Sequence, residues 1–196
     1  SSAAEFWRCA PETQKSELIQ GVMTVPPPPL DIHEDVQLFL LALLRTYAEE
    51  HNLGEVRGSR TGVELPGGDV YEPDILFVAR ERESIIERRG VFGAPDFVVE
   101  ILSASTAAYD RGPKLRGYEG AGVRELWLID PYGPTGTEFF RLEEGRFVPL
   151  MPDARGIIRS VVVAGFWIDV NWLWPEERFI TVRRALEQIE QDPNGL

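Results

Sequence analysis

Residues 93–131 read GAPDFVVEILSASTAAYDRGPKLRGYEGAGVRELWLIDP. Within this stretch, the runs 97–102 and 124–130 have the length and composition of buried strands. The small residues 103–106 after the first run are typical of a helix cap, and we expect a helix that carries Lys114 and ends near Ala121. The alternation of strands and helices here and in the flanking segments indicates an α/β domain with a mixed sheet.

The segments on either side of this stretch predict further strands and helices. With 196 residues, the chain is long enough to bury a sizeable core, and we expect a single domain over residues 1–196 with its core at about 15–170. The predicted elements are, in order, a hairpin at 16–25, a helix from Asp31 to about Glu50, extended pieces at 55–60 and 62–65, a strand at 74–78, a charged helix at about 80–89, antiparallel strands at 138–142, 146–150 and 158–163, and a C-terminal helix at about 180–191.

The composition restricts the partners and the cellular compartment that the sequence predicts. The net charge of −12, from 20 basic and 32 acidic residues, weighs against a broad phosphate-binding surface, because nonspecific nucleic-acid affinity comes from Lys and Arg. The single cysteine, Cys9, excludes an internal disulfide framework. No apolar run has the length of a membrane span, and the N-terminal residues lack the order of a secretory signal, so we expect a cytoplasmic protein.

Two acidic residues on predicted strands are the main candidates for chemistry. Glu100 interrupts an apolar strand, and an ionised carboxylate taken out of water costs several kcal/mol unless it has a partner. Asp74 opens another buried strand, and if the two strands are neighbours, their carboxylates converge at one edge. Converging carboxylates with few histidines are typical of a Mg²⁺ site. The structural alternatives are a strand-entry carboxylate at Asp74 and an ion pair with an arginine at Glu100.

Lys114 is a candidate because the chain has only two lysines, Lys15 and Lys114, against eighteen arginines. A lysine kept among so many arginines indicates a place where a compact ammonium is needed and a planar guanidinium is unsuitable. Beside a metal ion, such a lysine can orient the attacking water and offset the negative charge of a phosphoryl transition state. The alternative is chance, since one of two remaining lysines can fall anywhere.

Three further acidic residues carry weaker signals. Asp96 shares a strand face with Glu100 and follows a proline, so it is a rival of Asp74. We prefer Asp74 and interpret Asp96 as an edge or capping residue. Glu17 precedes an apolar pair on the first predicted strand and can add a further charge to the site, although surface exposure explains it equally well. Asp110 is interpreted as a helix-start carboxylate.

A tyrosine and a histidine complete the candidates for the lining of the site. Tyr118 lies one helical turn after Lys114 and can line the site, although packing explains it equally well. His33 lies at the start of a predicted helix, where most histidines are structural or exposed. Neither His33 nor His51 has the spacing of a metal ligand.

These residues form a combined pattern that covers roughly residues 15–170. The pattern consists of residues 17–21, Pro28, His33, Pro73-Asp74, residues 93–103, Thr106, Asp110, Lys114, Tyr118, Gly122-Val123 and residues 125–131. It resembles the bacterial Uma-two family of putative restriction endonucleases, which is part of the PD-(D/E)xK nuclease superfamily.

The resemblance implies a restriction-endonuclease-like fold, with a central mixed β-sheet flanked by helices, and Mg²⁺-dependent cleavage of DNA phosphodiester bonds, with Mn²⁺ as the alternative metal. Carried over by position, Asp74 and Glu100 hold the metal and Glu17 is an additional acid of the site. In the simplest form of the superfamily, the catalytic lysine lies two residues after the glutamate, where this chain has Leu102. Lys114 is then the catalytic lysine, and it must reach the site from the following helix.

Other functions are compatible with the same residues, because a nuclease fold is not proof of nuclease activity. A catalytically inactive binding module in a defence or mobile-element setting fits the acidic balance of the chain. Hydrolysis of a smaller phosphoester is a third interpretation. The residues do not tell duplex from single-stranded DNA, and a homodimer is expected only because duplex cleavage by this fold usually uses two sites.

Overall fold

The computed structural model describes residues 1–11 and 13–192, so residue 12 and residues 193–196 of the expected domain lie outside the described residues. The helices are α1 (Ala3–Cys9), α2 (Asp31–Glu50), α3 (Ala107–Tyr109), α4 (Leu115–Ala121) and α5 (Val182–Gln191). The strands are β1 (Glu17–Ile19), β2 (Val22–Thr24), β3 (Gly54–Gly58), β4 (Val63–Glu64), β5 (Val70–Tyr71), β6 (Ile75–Ala79), β7 (Val91–Phe92), β8 (Phe97–Ile101), β9 (Glu125–Ile129), β10 (Glu138–Glu143), β11 (Arg146–Pro149), β12 (Ile157–Arg159) and β13 (Trp167–Asp169).

A six-stranded mixed sheet with the order β11-β10-β9-β8-β6-β3 forms the centre of the fold. Strands β8 and β9 are parallel, and the other neighbouring pairs are antiparallel. In the β6–β8 pair, Ile75 lies opposite Val99, so Asp74 falls beside Glu100. The predicted α/β class with a mixed sheet is confirmed, and the two strands of the main acidic candidates are sheet neighbours.

The two faces of this sheet are covered differently. On one face, Phe97 and Val99 pack with residues of α2 and α5 in a core cluster that also holds Trp127. On the other face, Val98 and Leu102 pack with Tyr118 of α4 and with a small five-stranded sheet of order β2-β1-β5-β4-β7. Because side chains alternate along a strand, Glu100 points to the second face, the same side as α4.

Several local predictions match the structure, and others are wrong. Helix α2 begins at Asp31 and ends at Glu50 as expected, and β1 and β2 form the predicted hairpin. The charged helix expected at 80–89 is only a 3-10 helix at Arg80–Ile85. There, the side chain of Arg82 turns inward to bind Asp96 at 2.7 Å and the carbonyl of Ala94 at 2.9 Å.

The helix that carries Lys114 ends at Ala121 as predicted, but it is not a regular α-helix. A π-helical turn, Asp110–Lys114, joins α3 to α4 and contains Pro113, which has no N–H to donate to a regular helical ladder. The strand expected at 158–163 is shorter, since β12 pairs with β13 in a separate two-stranded sheet.

Helix α1 was not predicted, although Ser2 and Glu5 form a capping box that is visible in the sequence. In the part of the chain that the structure describes, no helix is both long and apolar enough to span a bilayer.

Candidate active site

A cavity of about 330 Å³ opens where β6 and β8 bring Asp74 and Glu100 together. Six further parts of the chain meet there: the segment before β1, the proline run 26–29, the start of α2, residues 59–60, residues 103–106 and the π-helical turn. The charged residues on its wall are Lys15, Glu17, His33, Glu34, Arg60, Asp74, Glu100, Asp110 and Lys114. Seven residues were proposed from the sequence for catalysis, metal binding or lining of the site, and five of them line this cavity, namely Asp74, Glu100, Lys114, Glu17 and His33.

Lys114 lies at the centre of this charge cluster, and its side chain is 2% exposed. Its Nζ atom is 2.7 Å from Oε1 of Glu100, 2.8 Å from Oε1 of Glu17 and 3.3 Å from Oδ1 of Asp110. Burial acts to lower the pKa of Lys114, but the carboxylates of Glu100 and Glu17 outweigh it and hold that pKa well above its usual value. Lys114 is therefore a charged hydrogen-bond donor at neutral pH and not a general base.

Besides its ion pair with Lys114, Glu100 accepts a strong hydrogen bond. The hydroxyl of Tyr118 donates to its Oε1 atom over 2.6 Å, from the next turn of the helix after Lys114. Burial raises the pKa of Glu100 to about 8, although the ammonium of Lys114 acts in the opposite direction. A carboxyl group with a strongly shifted pKa beside a buried cation is typical of functional sites.

An aromatic wall closes the cluster on the side of α4. The ring of Tyr71 lies 5.7 Å from Nζ of Lys114 and packs edge-on against Tyr118, with 5.1 Å between ring centroids. Gly117 makes this packing feasible, because a Cβ atom at that position would overlap the hydroxyl of Tyr71. The hydroxyl of Tyr71 donates to Asp69 at 2.8 Å, so the two tyrosines bind different acids.

Asp74 is held by a different set of partners. Its Oδ2 atom accepts the N–H of Ile101 at 2.8 Å and lies 3.3 Å from Nε2 of His33, while its Oδ1 atom lies 3.0 Å from Nζ of Lys15. Burial acts to raise the pKa of Asp74, but Lys15 and His33 outweigh it and hold that pKa below its usual value. In return, the hydrogen bond to Asp74 raises the pKa of His33 against the effect of burial.

His33 has an additional feature on its other ring nitrogen. Its Nδ1 atom is buried and has no hydrogen-bond partner among the described residues, and the nearest carboxylate, Glu34, lies 3.9 Å away, too far for a hydrogen bond. His33 thus uses its Nε2 atom to support Asp74.

Lys15 is the residue of this site that the sequence reasoning missed. Both lysines of the chain line the same cavity, each within 3.0 Å of one of the two main carboxylates. The scarcity of lysine that singled out Lys114 therefore applied equally to Lys15, and this count was the available signal.

Asp96 is not brought to the cluster. It precedes β8, four residues before Glu100, or about 13 Å along an extended strand. Its Oδ1 atom binds Arg82 at 2.7 Å and its Oδ2 atom accepts the N–H of Ala79 at 2.8 Å. This placement agrees with the interpretation of Asp96 as an edge residue and removes it from the lining of the cavity.

The residues of the cavity fit a hard divalent cation by chemical type, since Asp74 and Glu100 supply carboxylate oxygens. In their present arrangement, each of these carboxylates forms an ion pair with a lysine, Asp74 with Lys15 and Glu100 with Lys114. Accordingly, residues 1–11 and 13–192 contain no group of three or more His, Cys, Asp and Glu side chains already arranged to hold a metal. Metal binding at Asp74 and Glu100 therefore requires side-chain rearrangement.

The chain is similar to known proteins in sequence and in fold. A family model described as "Uma2: Putative restriction endonuclease" matches residues 3–171. Among solved structures, a putative nuclease belonging to DUF820 from Anabaena variabilis shares the fold, with a TM-score of 0.68 and 18% identity over 96% of this chain and 99% of that chain. No curated protein matches the chain.

Proposed function

The chain belongs to the Uma2 family of putative restriction endonucleases, and on that premise we propose that it hydrolyses DNA phosphodiester bonds with a divalent cation, Mg²⁺ or Mn²⁺, held by Asp74 and Glu100. The observation that carries this proposal is the buried ammonium of Lys114. It lies within 3.3 Å of three carboxylates at the sheet edge where Asp74 and Glu100 meet. Burying these charged groups costs desolvation free energy, and buried ion pairs are on average weak contributors to stability. Stability alone therefore does not explain the arrangement.

Each residue has a defined part in the proposed reaction. When bound, the divalent cation lowers the pKa of water and stabilises the charge that develops on the phosphate oxygens. Lys114 stays protonated, orients the attacking water through an N–H donor and adds positive charge beside the phosphate. Glu17 and Asp110 hold the ammonium in place while Glu100 turns toward the cation.

We also propose a cellular location, a partner and an oligomeric state. We assign the protein to the cytoplasm and DNA as its partner, and we expect a homodimer if the substrate is a duplex, since two strands need two sites.

One observation favours the second candidate function, a catalytically inactive binding module. Both main carboxylates already have a lysine partner inside the protein, so neither is an unpaired buried charge before a metal binds. Such a module would bind DNA or a protein without cleaving either. The distinction rests on whether cleavage occurs and whether it needs Glu100.

The test is a cleavage assay on supercoiled plasmid, linear duplex, single-stranded oligonucleotide and a dinucleotide, each with Mg²⁺ or Mn²⁺. We expect cleavage by the wild type and none by Glu100→Gln. Glu125→Gln is the matched control, because Glu125 is an equally buried glutamate on the neighbouring strand β9. Cleavage of the dinucleotide alone points to a smaller phosphoester as substrate, and cleavage that survives in Glu100→Gln overturns the proposed site.

A further inference from the structure

The two lysines of the cavity are held in very different ways. Lys114 is 2% exposed and lies within 3.3 Å of carboxylates from three elements, so several interactions must break before it moves. Lys15 is 25% exposed, and among the described residues its ammonium donates one hydrogen bond, to Oδ1 of Asp74 over 3.0 Å. Moving the ammonium of Lys15 away from Asp74 therefore costs less free energy than moving the ammonium of Lys114 away from its carboxylates.

The backbone around Lys15 also permits this movement. Residues 13–16 form a turn and an irregular stretch before β1, with no helix or strand among them. The side-chain bond of Ser16 is local, to the carbonyl of Gln14 at 3.2 Å. A rotation of the Lys15 side chain toward the open part of the cavity thus needs no change in the sheets.

The position of Lys15 coincides with the place where a metal ligand must be free. Of the two oxygens of Asp74, Oδ2 is used by the N–H of Ile101 and by His33. Oδ1 is the oxygen that Lys15 binds, and Lys15 and Asp74 both line the cavity. A divalent cation at Asp74 and the ammonium of Lys15 therefore compete for the same atom.

We propose that Lys15 is an internal substitute for the divalent cation: it neutralises Asp74 in the metal-free protein and is displaced when the cation binds. This inference rests on the proposed function, in which Asp74 is a metal ligand. It explains why a buried aspartate is stable before metal binding. It also predicts that Lys15 lowers the affinity for the metal, so that removing its charge tightens binding.

The test is calorimetric titration of Mn²⁺ and Mg²⁺ alone into the wild type and Lys15→Met, which keeps the length of the side chain and removes its charge. We expect Lys15→Met to bind at least tenfold more tightly. Arg183→Met is the matched control, because it removes one positive charge from the exposed side of α5. Its affinity should stay within twofold of the wild type.

Thermal unfolding gives a second measurement that does not depend on activity. Without metal, Lys15→Met should unfold at a lower temperature than the wild type, because Asp74 has lost a cation, and saturating Mn²⁺ should reduce this difference. If Lys15→Met does not fold, Lys15→Gln keeps a neutral donor for Asp74 and should also bind the metal more tightly.

The outcomes separate this inference from the proposed function. Equal or weaker binding by Lys15→Met overturns the inference. If that equal binding is lost in Glu100→Gln, the metal site and the proposed function stand. Absence of binding in every variant overturns both the inference and the metal site.

Discussion

Two buried glutamates lie on adjacent parallel strands and have opposite kinds of partner. Glu100 near the end of β8 is 2% exposed and binds an ammonium and a phenol hydroxyl. Glu125 at the start of β9 is 0% exposed and binds only neutral donors in the part of the chain that the structure describes. These donors are Nε1 of Trp127 at 2.8 Å, Oγ of Ser160 at 2.7 Å, and the N–H groups of Val161 at 2.9 Å and Val162 at 3.1 Å.

The comparison shows that burial alone does not identify a functional carboxylate. The donors of Glu125 belong to its own strand and to a loop, where Ser160 donates through its side chain and Val161 and Val162 through their N–H groups. The carboxylate therefore joins residues 160–162 to the sheet and leaves no place for a ligand. Glu100 and its cation, Lys114, both line the cavity, so a ligand that enters the cavity can reach this carboxylate. We therefore interpret Glu125 as structural and Glu100 as functional.

The largest expected effect comes from removing the cation of Glu100. Lys114→Met should lower the single-turnover cleavage rate by about 10²–10³-fold or more, the range for loss of one preorganised donor. It also leaves three buried carboxylates without their shared ammonium. Breaking a buried ion pair by removing one partner destabilises a protein by about 3–5 kcal/mol, so urea unfolding should show a loss of this order.

Lys114→Arg is the control that keeps the charge. The planar guanidinium does not fit a site that is 2% exposed and made for a compact ammonium, so cleavage should stay low. If a folded Lys114→Met protein cleaves at the wild-type rate, Glu100 has a structural role, as Glu125 does.

The sequence predicts the features of this site that depend on residues close together in the chain. A glutamate inside an apolar run marks Glu100 as a buried acid that needs a partner, and the proline run before Asp31 marks the start of α2. Lys15 and Asp74 are 59 residues apart in the chain, so no local sequence pattern indicates that they pair.

Glu125 was equally difficult to predict. The run 124–130 is typical of a strand whatever its glutamate binds, and the donors of Glu125 on the loop are 35 to 37 residues away. The pairing of β12 with β13 is likewise decided by the fold, since nothing in residues 157–159 tells which strand they meet.

A smaller effect is expected from the titration of Glu125. Burial raises the pKa of Glu125 from 4.5 to about 7 in the folded protein, although its four donors act in the opposite direction. Between these two pH values, Glu125 is protonated in the folded state and ionised in the unfolded state. The contribution of Glu125 to stability is therefore greatest below pH 4.5, decreases as the pH rises toward 7 and is constant above pH 7. The total change is about 3 kcal/mol.

Urea unfolding of the wild type and Glu125→Gln from pH 4.5 to pH 8 measures this change. Glutamine does not titrate, so the wild type should lose stability relative to the variant as the pH rises, while the contributions of the site carboxylates cancel in the difference. A constant difference across this range would mean that Glu125 is ionised throughout, with its four hydrogen bonds stronger than the effect of burial.

The smallest effect is expected from Tyr118→Phe, which removes the O–H donor at 2.6 Å from Glu100 and leaves the ring in place. The loss of a donor to the ionised carboxylate raises the pKa of Glu100 further, by about one unit for a hydrogen bond of about 1.5 kcal/mol to a charged group. Protons then compete more strongly with the cation, so calorimetry should show Mn²⁺ affinity reduced about tenfold at pH 7, and by less at pH 9, where more of Glu100 is ionised in both proteins.

Tyr71→Phe is the matched control, because its hydroxyl donates to Asp69 and its ring packs against the same neighbours. Its Mn²⁺ affinity should equal that of the wild type at both pH values. An equal loss of affinity at pH 7 and pH 9 in Tyr118→Phe would mean that Tyr118 acts through packing. Of the two partners of Glu100, Lys114 alone would then control the charge of this carboxylate. The contrast with Glu125 would then depend on a single cation.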